Sequence, residues 1–104
     1  MSTPKEKQVY LREYRRGREI IVAICDQDTL GNVYKENRLI LDVTPRFYGG
    51  DLVDVPYAIA QIKRASIANL VGNIIVNAAI KADLIHPEAI HHVQGIAHAQ
   101  RMTI

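Results

Sequence analysis

The chain has 104 residues, with 13 basic and 11 acidic side chains and a formal charge of +2. That length fits one domain with one core, and so weak a charge excludes nucleic-acid binding argued from bulk charge alone. About half the residues are apolar but only six are aromatic, which excludes a disordered chain and points to an aliphatic core.

Residues 1–8 read as a flexible tail around Pro4, and residues 9–104 as a single α+β domain. Val9 to Tyr14 alternates, with Val9, Leu11 and Glu13 on one face and Tyr10, Arg12 and Tyr14 on the other. Ile20 to Cys25 is a nearly continuous apolar, β-branched run. Between them Arg15-Arg16-Gly17-Arg18 carries a turn glycine, so the pair predicts a β-hairpin. Asp26 or Asp28 is placed to cap one short helical turn that Gly31 ends. Arg38 to Val43 predicts a third strand, stopped by Pro45, and three successive strands suggest an antiparallel meander.

Pro45 to Asp51 is a loop by composition. Asp54 is placed to cap the next helix, with Pro56 in its first turn, where a missing N–H costs nothing. Ile59, Ile62, Ser66, Leu70 and Ile74 keep helical spacing, as do Ile67, Val71, Ile75 and Ala78. The pattern runs from Val55 to Leu84, too long for one helix, so a break near Ala65 to Ser66 predicts a helical pair. After Pro87, Ala89 to Val93 and Ala99 to Ile104 predict a short C-terminal strand pair about Gly95. The expected fold class is therefore α+β: a three-strand meander, a helical pair and a short strand pair.

Three segments carry candidate chemistry. In Phe47-Tyr48-Gly49-Gly50 the glycines let another molecule approach backbone N–H groups, the aromatics offer a stacking face, and Arg46 adds charge. Equally, the glycines serve to turn the chain and Phe47 to plug the core. Arg12, Arg15, Arg16 and Arg18 with Tyr10 and Tyr14 form a basic, aromatic hairpin suited to single-stranded RNA, although Glu13 and Glu19 offset part of its charge. Asn69 and Gly72 lie in the helical region, where a glycine marks close packing. His98 follows Gly95 in a turn, where imidazole could move protons or bond in a pH-sensitive way.

The remaining residues say less. His91 and His92 point to opposite faces of a strand, and no metal site or cofactor is expected. Cys25 stands alone, which excludes an intramolecular disulfide. With no signal peptide and no apolar stretch long enough to span a bilayer, a cytoplasmic protein without a membrane partner is expected.

Phe47-Tyr48-Gly49-Gly50, Ala68-Asn69-Leu70-Val71-Gly72 and Gly95 with His98-Ala99-Gln100, together with Val22-Ala23-Ile24-Cys25-Asp26, resemble an uncharacterised archaeal family, domain-of-unknown-function family 424. The resemblance covers Tyr10 to Gln100. The segment before Val9 and Ala97, where proline is expected, depart from it. It implies a compact α+β domain in an archaeal cytoplasm, assigns no catalytic residue, and associates the chain with translation.

Three functions are open. One is a non-catalytic module binding RNA or a ribonucleoprotein through Arg12, Arg15, Arg16, Arg18 and Arg46, with Tyr48 or Tyr14 stacking. Another is a ligand-binding or enzymatic domain using Gly49, Gly50 and His98, with Asn69 and Gln100 nearby. The last is an interaction domain that forms a homodimer through the apolar stretch Ile67 to Ile80.

Overall fold

The structure, a computed structural model, describes residues 7–103. Most of the predicted tail falls outside that range.

The hairpin expectation holds. β1 (Gln8–Arg16) and β2 (Glu19–Asp26) pair antiparallel, from Val9 opposite Asp26 to Arg16 opposite Glu19. Gly17 takes the positive φ (61°) that the tight turn needs. The meander does not hold. The predicted third strand is β4 (Leu39–Asp42), and it pairs with β3 (Val33–Glu36) in a separate two-stranded ribbon. Asn37, at φ 55°, makes that turn, a role open to Asn outside glycine's monopoly.

The expected loop after Pro45 is a helical turn, α1 (Pro45–Tyr48), where the Thr44 hydroxyl accepts the Phe47 N–H at 3.2 Å. β5 (Asp51–Asp54) then pairs antiparallel with the start of β1. α2 (Val55–Arg64) starts at Asp54 and ends at Ala65, where the break was expected. Asp54 stands at the cap position, yet its side chain makes no cap bond and instead accepts from Gln8 at 3.4 Å.

The second predicted helix is corrected more deeply. Its first part is strand β6 (Ile67–Val71), and only α3 (Asn73–Lys81) is helical. β6 is parallel to β2, with Ile21 opposite Ile67 and Cys25 opposite Val71. A strand of that kind is apolar on both faces, so its periodicity does not separate it from a buried helix. The apolar residues of Ile67 to Ile80 chiefly fill the core: Leu70, Val71, Ile75, Val76 and Ala79 are fully buried.

A single 3-10 turn at Pro87–Ala89 precedes β7 (His91–Val93), and β8 (Ile96–Met102) begins earlier than predicted. The C-terminal strand pair is present, with His91 opposite His98. The main sheet thus has six strands in the order β5-β1-β2-β6-β8-β7. Val9, Leu11, Val22, Ile24, Ala68, Leu70, Ala97 and Ala99 face α2 and α3 and form the main core. On the opposite face Ala23, Cys25 and Val71 lie under the ribbon and α1, with Leu41, Val43 and Tyr48. No helix of the described residues is long and apolar enough to cross a membrane.

Candidate functional site

The Gly49-Gly50 segment is built into the fold from both sides. Gly49 N–H donates to the Pro45 carbonyl at 2.8 Å and Gly50 N–H to the Tyr48 carbonyl at 2.9 Å. Both amides are therefore committed and do not point at a ligand. A Cβ at Gly49 would strike the Pro45 carbonyl, and one at Gly50 the Leu11 carbonyl. Close backbone approach explains both glycines.

The neighbouring side chains secure the same turn. Arg12 donates to the carbonyls of Arg46 and Gly49, both at 2.5 Å. Tyr14 donates to the Phe47 carbonyl at 2.7 Å, and its ring stacks on Phe47 with centroids 5.3 Å apart. Tyr48 is buried, and burial pushes its phenol up to about 12. Burial likewise pushes the Cys25 thiol up to about 11, which leaves a small apolar side chain and no nucleophile. So Arg12, Tyr14 and Tyr48 are occupied in holding α1. A shallow cleft of about 430 Å³ runs beside Gly49 and Gly50, lined also by Leu11, Arg12, Glu13, Asp51 and Tyr57. Asn69, His98 and Gln100 are not among its walls.

Asp26 and Gly72 make a second built feature, one that sequence reasoning missed. The Asp26 carboxylate accepts the N–H groups of Ile74 at 2.8 Å and Ile75 at 2.9 Å, closing the N-terminus of α3. Gly72 has φ 115°, and a Cβ there would overlap that carboxyl group. Burial raises the Asp26 pKa, against the two backbone bonds that lower it. Asn73 continues the network by donating to the Gly95 carbonyl and accepting from Ala97 N–H, each at 3.0 Å. Asn69, expected in a helix with Gly72, stands instead in β6. The sequence signal was an aspartate at a strand end with a Gly-Asn pair at another; the partner's distance along the chain hid it.

Asn69 and His98-Gln100 do meet. Asn69 lies opposite Gln100, and Val71 opposite His98, across β6 and β8. They face the ribbon side of the sheet, but cover there is incomplete. Cys25 and Val71 are fully buried; Ile21, Ile67 and Asn69 are only half-buried, and Gln100 and Met102 are exposed. Neither Asn69 nor Gln100 has a side-chain hydrogen bond among the described residues. His98 is half-buried, and its pKa is lowered first by burial and then by His91.

Charge gathers at the same end of the sheet. The Ser66 N–H donates to the Ile20 carbonyl at 2.7 Å, and Thr103 N–H to the Ser66 carbonyl at 2.8 Å. These bonds bring the hairpin tip, the end of α2 and the end of β8 together. Arg15, Glu13, Arg64 and Arg101 lie there on the helix side of the sheet, with Arg101 donating to the Ile62 carbonyl, while Arg16 and Glu19 stand on the ribbon side at the hairpin tip beside Arg18. Arg64 and Arg15 both bind Glu13, at 2.9 and 3.0 Å, and hold its carboxyl below the usual range. Arg16 lies 4.0 Å from Glu19, with both side chains well exposed. Arg46 is exposed, and its carbonyl accepts from Arg12 and Tyr14 of β1. Lys63, Arg64, Arg101, Ile67 and Met102 were not legible as site residues, because folding alone joins segments so far apart. Among the described residues no group of three or more His, Cys, Asp or Glu could hold a metal ion.

The model of the family described as Protein of unknown function (DUF424) matches residues 14–104. No curated protein matches the chain. A crystal structure of an uncharacterized conserved protein from Methanopyrus kandleri is similar over 89% of both chains, at 24% identity and a TM-score of 0.75. That similarity shows a shared fold.

Proposed function

The chain belongs to the DUF424 family, and on that footing we propose that it is a non-catalytic module that binds RNA. The single observation that carries this reading is the meeting of the basic sheet end with the uncovered strip of Ile21, Ile67, Asn69, Gln100 and Met102. Exposed cations beside a flat surface with apolar and amide side chains match a polyanion with planar bases. Arg16, Arg18 and Arg46 contact phosphates, because their guanidinium groups are exposed. Arg12 holds α1 in place.

The test is binding of a fluorescein-labelled RNA hairpin with a single-stranded tail, followed by anisotropy from low to moderate salt. Affinity should fall steeply with salt. The pair Arg16→Ala and Arg18→Ala should lower the slope of log affinity against log salt by roughly 1.5, the loss of two phosphate contacts. Absence of binding at low salt overturns the reading. So does displacement by poly-glutamate as effective as by unlabelled RNA, which would mark a surface for acidic polypeptides.

A further inference from the structure

Resting on that reading, we infer that the RNA is taken as a single strand and that Asn69 and Gln100 contact its bases. The two side chains stand directly opposite each other on neighbouring antiparallel strands, on one face of the sheet. Opposite residues in such a pair have Cβ atoms about 5 Å apart. Each amide carries a donor and an acceptor. Neither is engaged with another described residue, so both remain available outward.

Their surroundings suit an unstacked base. Ile67 and Met102 lie one step along the same face, and Met102 is 66% exposed. This apolar floor meets the flat side of a base while the amides meet its edge. Across Ile21 the strip meets Tyr14 of β1, and Arg16 follows two residues along that face at the hairpin tip, on the side where the strand's phosphates run. In a duplex the base edges that pair a donor with an acceptor are turned inward, and the major groove of RNA is too deep and narrow for side chains to read. The ribbon and α1 also stand up beside the strip, so the floor accepts a strand more readily than a helix of full width.

The experiment compares a single-stranded RNA of mixed sequence with the same RNA annealed to its complement, at one low salt concentration. The single strand should bind at least about tenfold more tightly. Gln100→Ala, at an exposed position, should weaken single-strand binding by roughly tenfold, the range of one lost two-bond base contact. Its salt slope should stay unchanged, since no phosphate contact is lost. Asn69→Ser should act likewise; because Asn69 is half-buried, melting of that variant is measured beside its binding, and Gln100→Ala stands alone if it is unfolded. Equal affinity for duplex, or Gln100→Ala binding as tightly as the parent, overturns the inference while leaving RNA binding itself in place. Absence of binding to either RNA overturns both.

Discussion

Removing the Asp26 carboxyl should detach the start of α3 from the sheet. Asp26 is 4% exposed and accepts two backbone N–H groups, from Ile74 and Ile75. Each bond to a charged acceptor contributes about 1.5–3 kcal/mol, and the desolvation that raises the Asp26 pKa offsets part of the sum. In Asp26→Ala the acceptor vanishes and the buried Ile75 N–H is left without a partner. The net loss should be about 3 kcal/mol, somewhat above the upper range for a lost cap. At about 4–8 °C per kcal/mol for a domain of this size, Tm should fall by roughly 12–24 °C. Urea unfolding measures the free energy directly, and Asp28→Ala, two residues along and exposed, serves as the control within about 0.5 kcal/mol. A loss below about 1 kcal/mol in Asp26→Ala would refute the reasoning, because the two bonds would then be worth no more than their desolvation.

Two further predictions follow from groups with defined partners. Arg12→Ala removes both donors to the Arg46 and Gly49 carbonyls and should cost about 2 kcal/mol. Amide exchange at Gly49 and Gly50 should quicken while that of Ile75 stays slow. His98 has its pKa lowered in the folded state from 6.5, so the unfolded chain takes up the proton first as pH falls. Its contribution to stability is complete above about pH 6.5 and is lost as pH falls through the lower folded value. Melting between pH 7.5 and 5.5 should show that decline, and His98→Gln should flatten it.

Local chemistry was legible and long-range pairing was not. The β1–β2 hairpin was readable because Gly17 sits between two strand-like runs of matched length. The ends of α2 were readable from Pro56 and from a run too long for one helix, which put a break near Ala65 to Ser66. β6 was hidden because a central parallel strand between β2 and β8, apolar at all but Asn69, satisfies a helical count as well as a strand one. The ribbon was hidden because its turn residue is Asn37 and not glycine. At the candidate site, Arg16, Arg18 and Asn69 were singled out from local motifs, and Gln100 through the family resemblance. Their grouping with Ile67 and Met102 depends on the order of strands, which no local pattern encodes. The Gly49-Gly50 pair was legible as special, yet its reason is the approach to Leu11 and Pro45 and not an open cradle.

The parallel seam between β2 and β6 bears on how the molecule comes together. Ile20 and Ser66, the residues tied at its start, are 46 positions apart. Closing a loop of that size costs about 3 kcal/mol of chain entropy before any seam contact rewards it. The β1–β2 hairpin and the β6–β8 unit each close over shorter spans. The seam joins two units through Val22, Ile24, Ala68 and Leu70, at a closure cost shared by the β1–β5 pairing, where Gln8 and Asp54 are also 46 positions apart. Both the basic end and the open strip straddle that seam. Neither surface is therefore whole until that seam has closed.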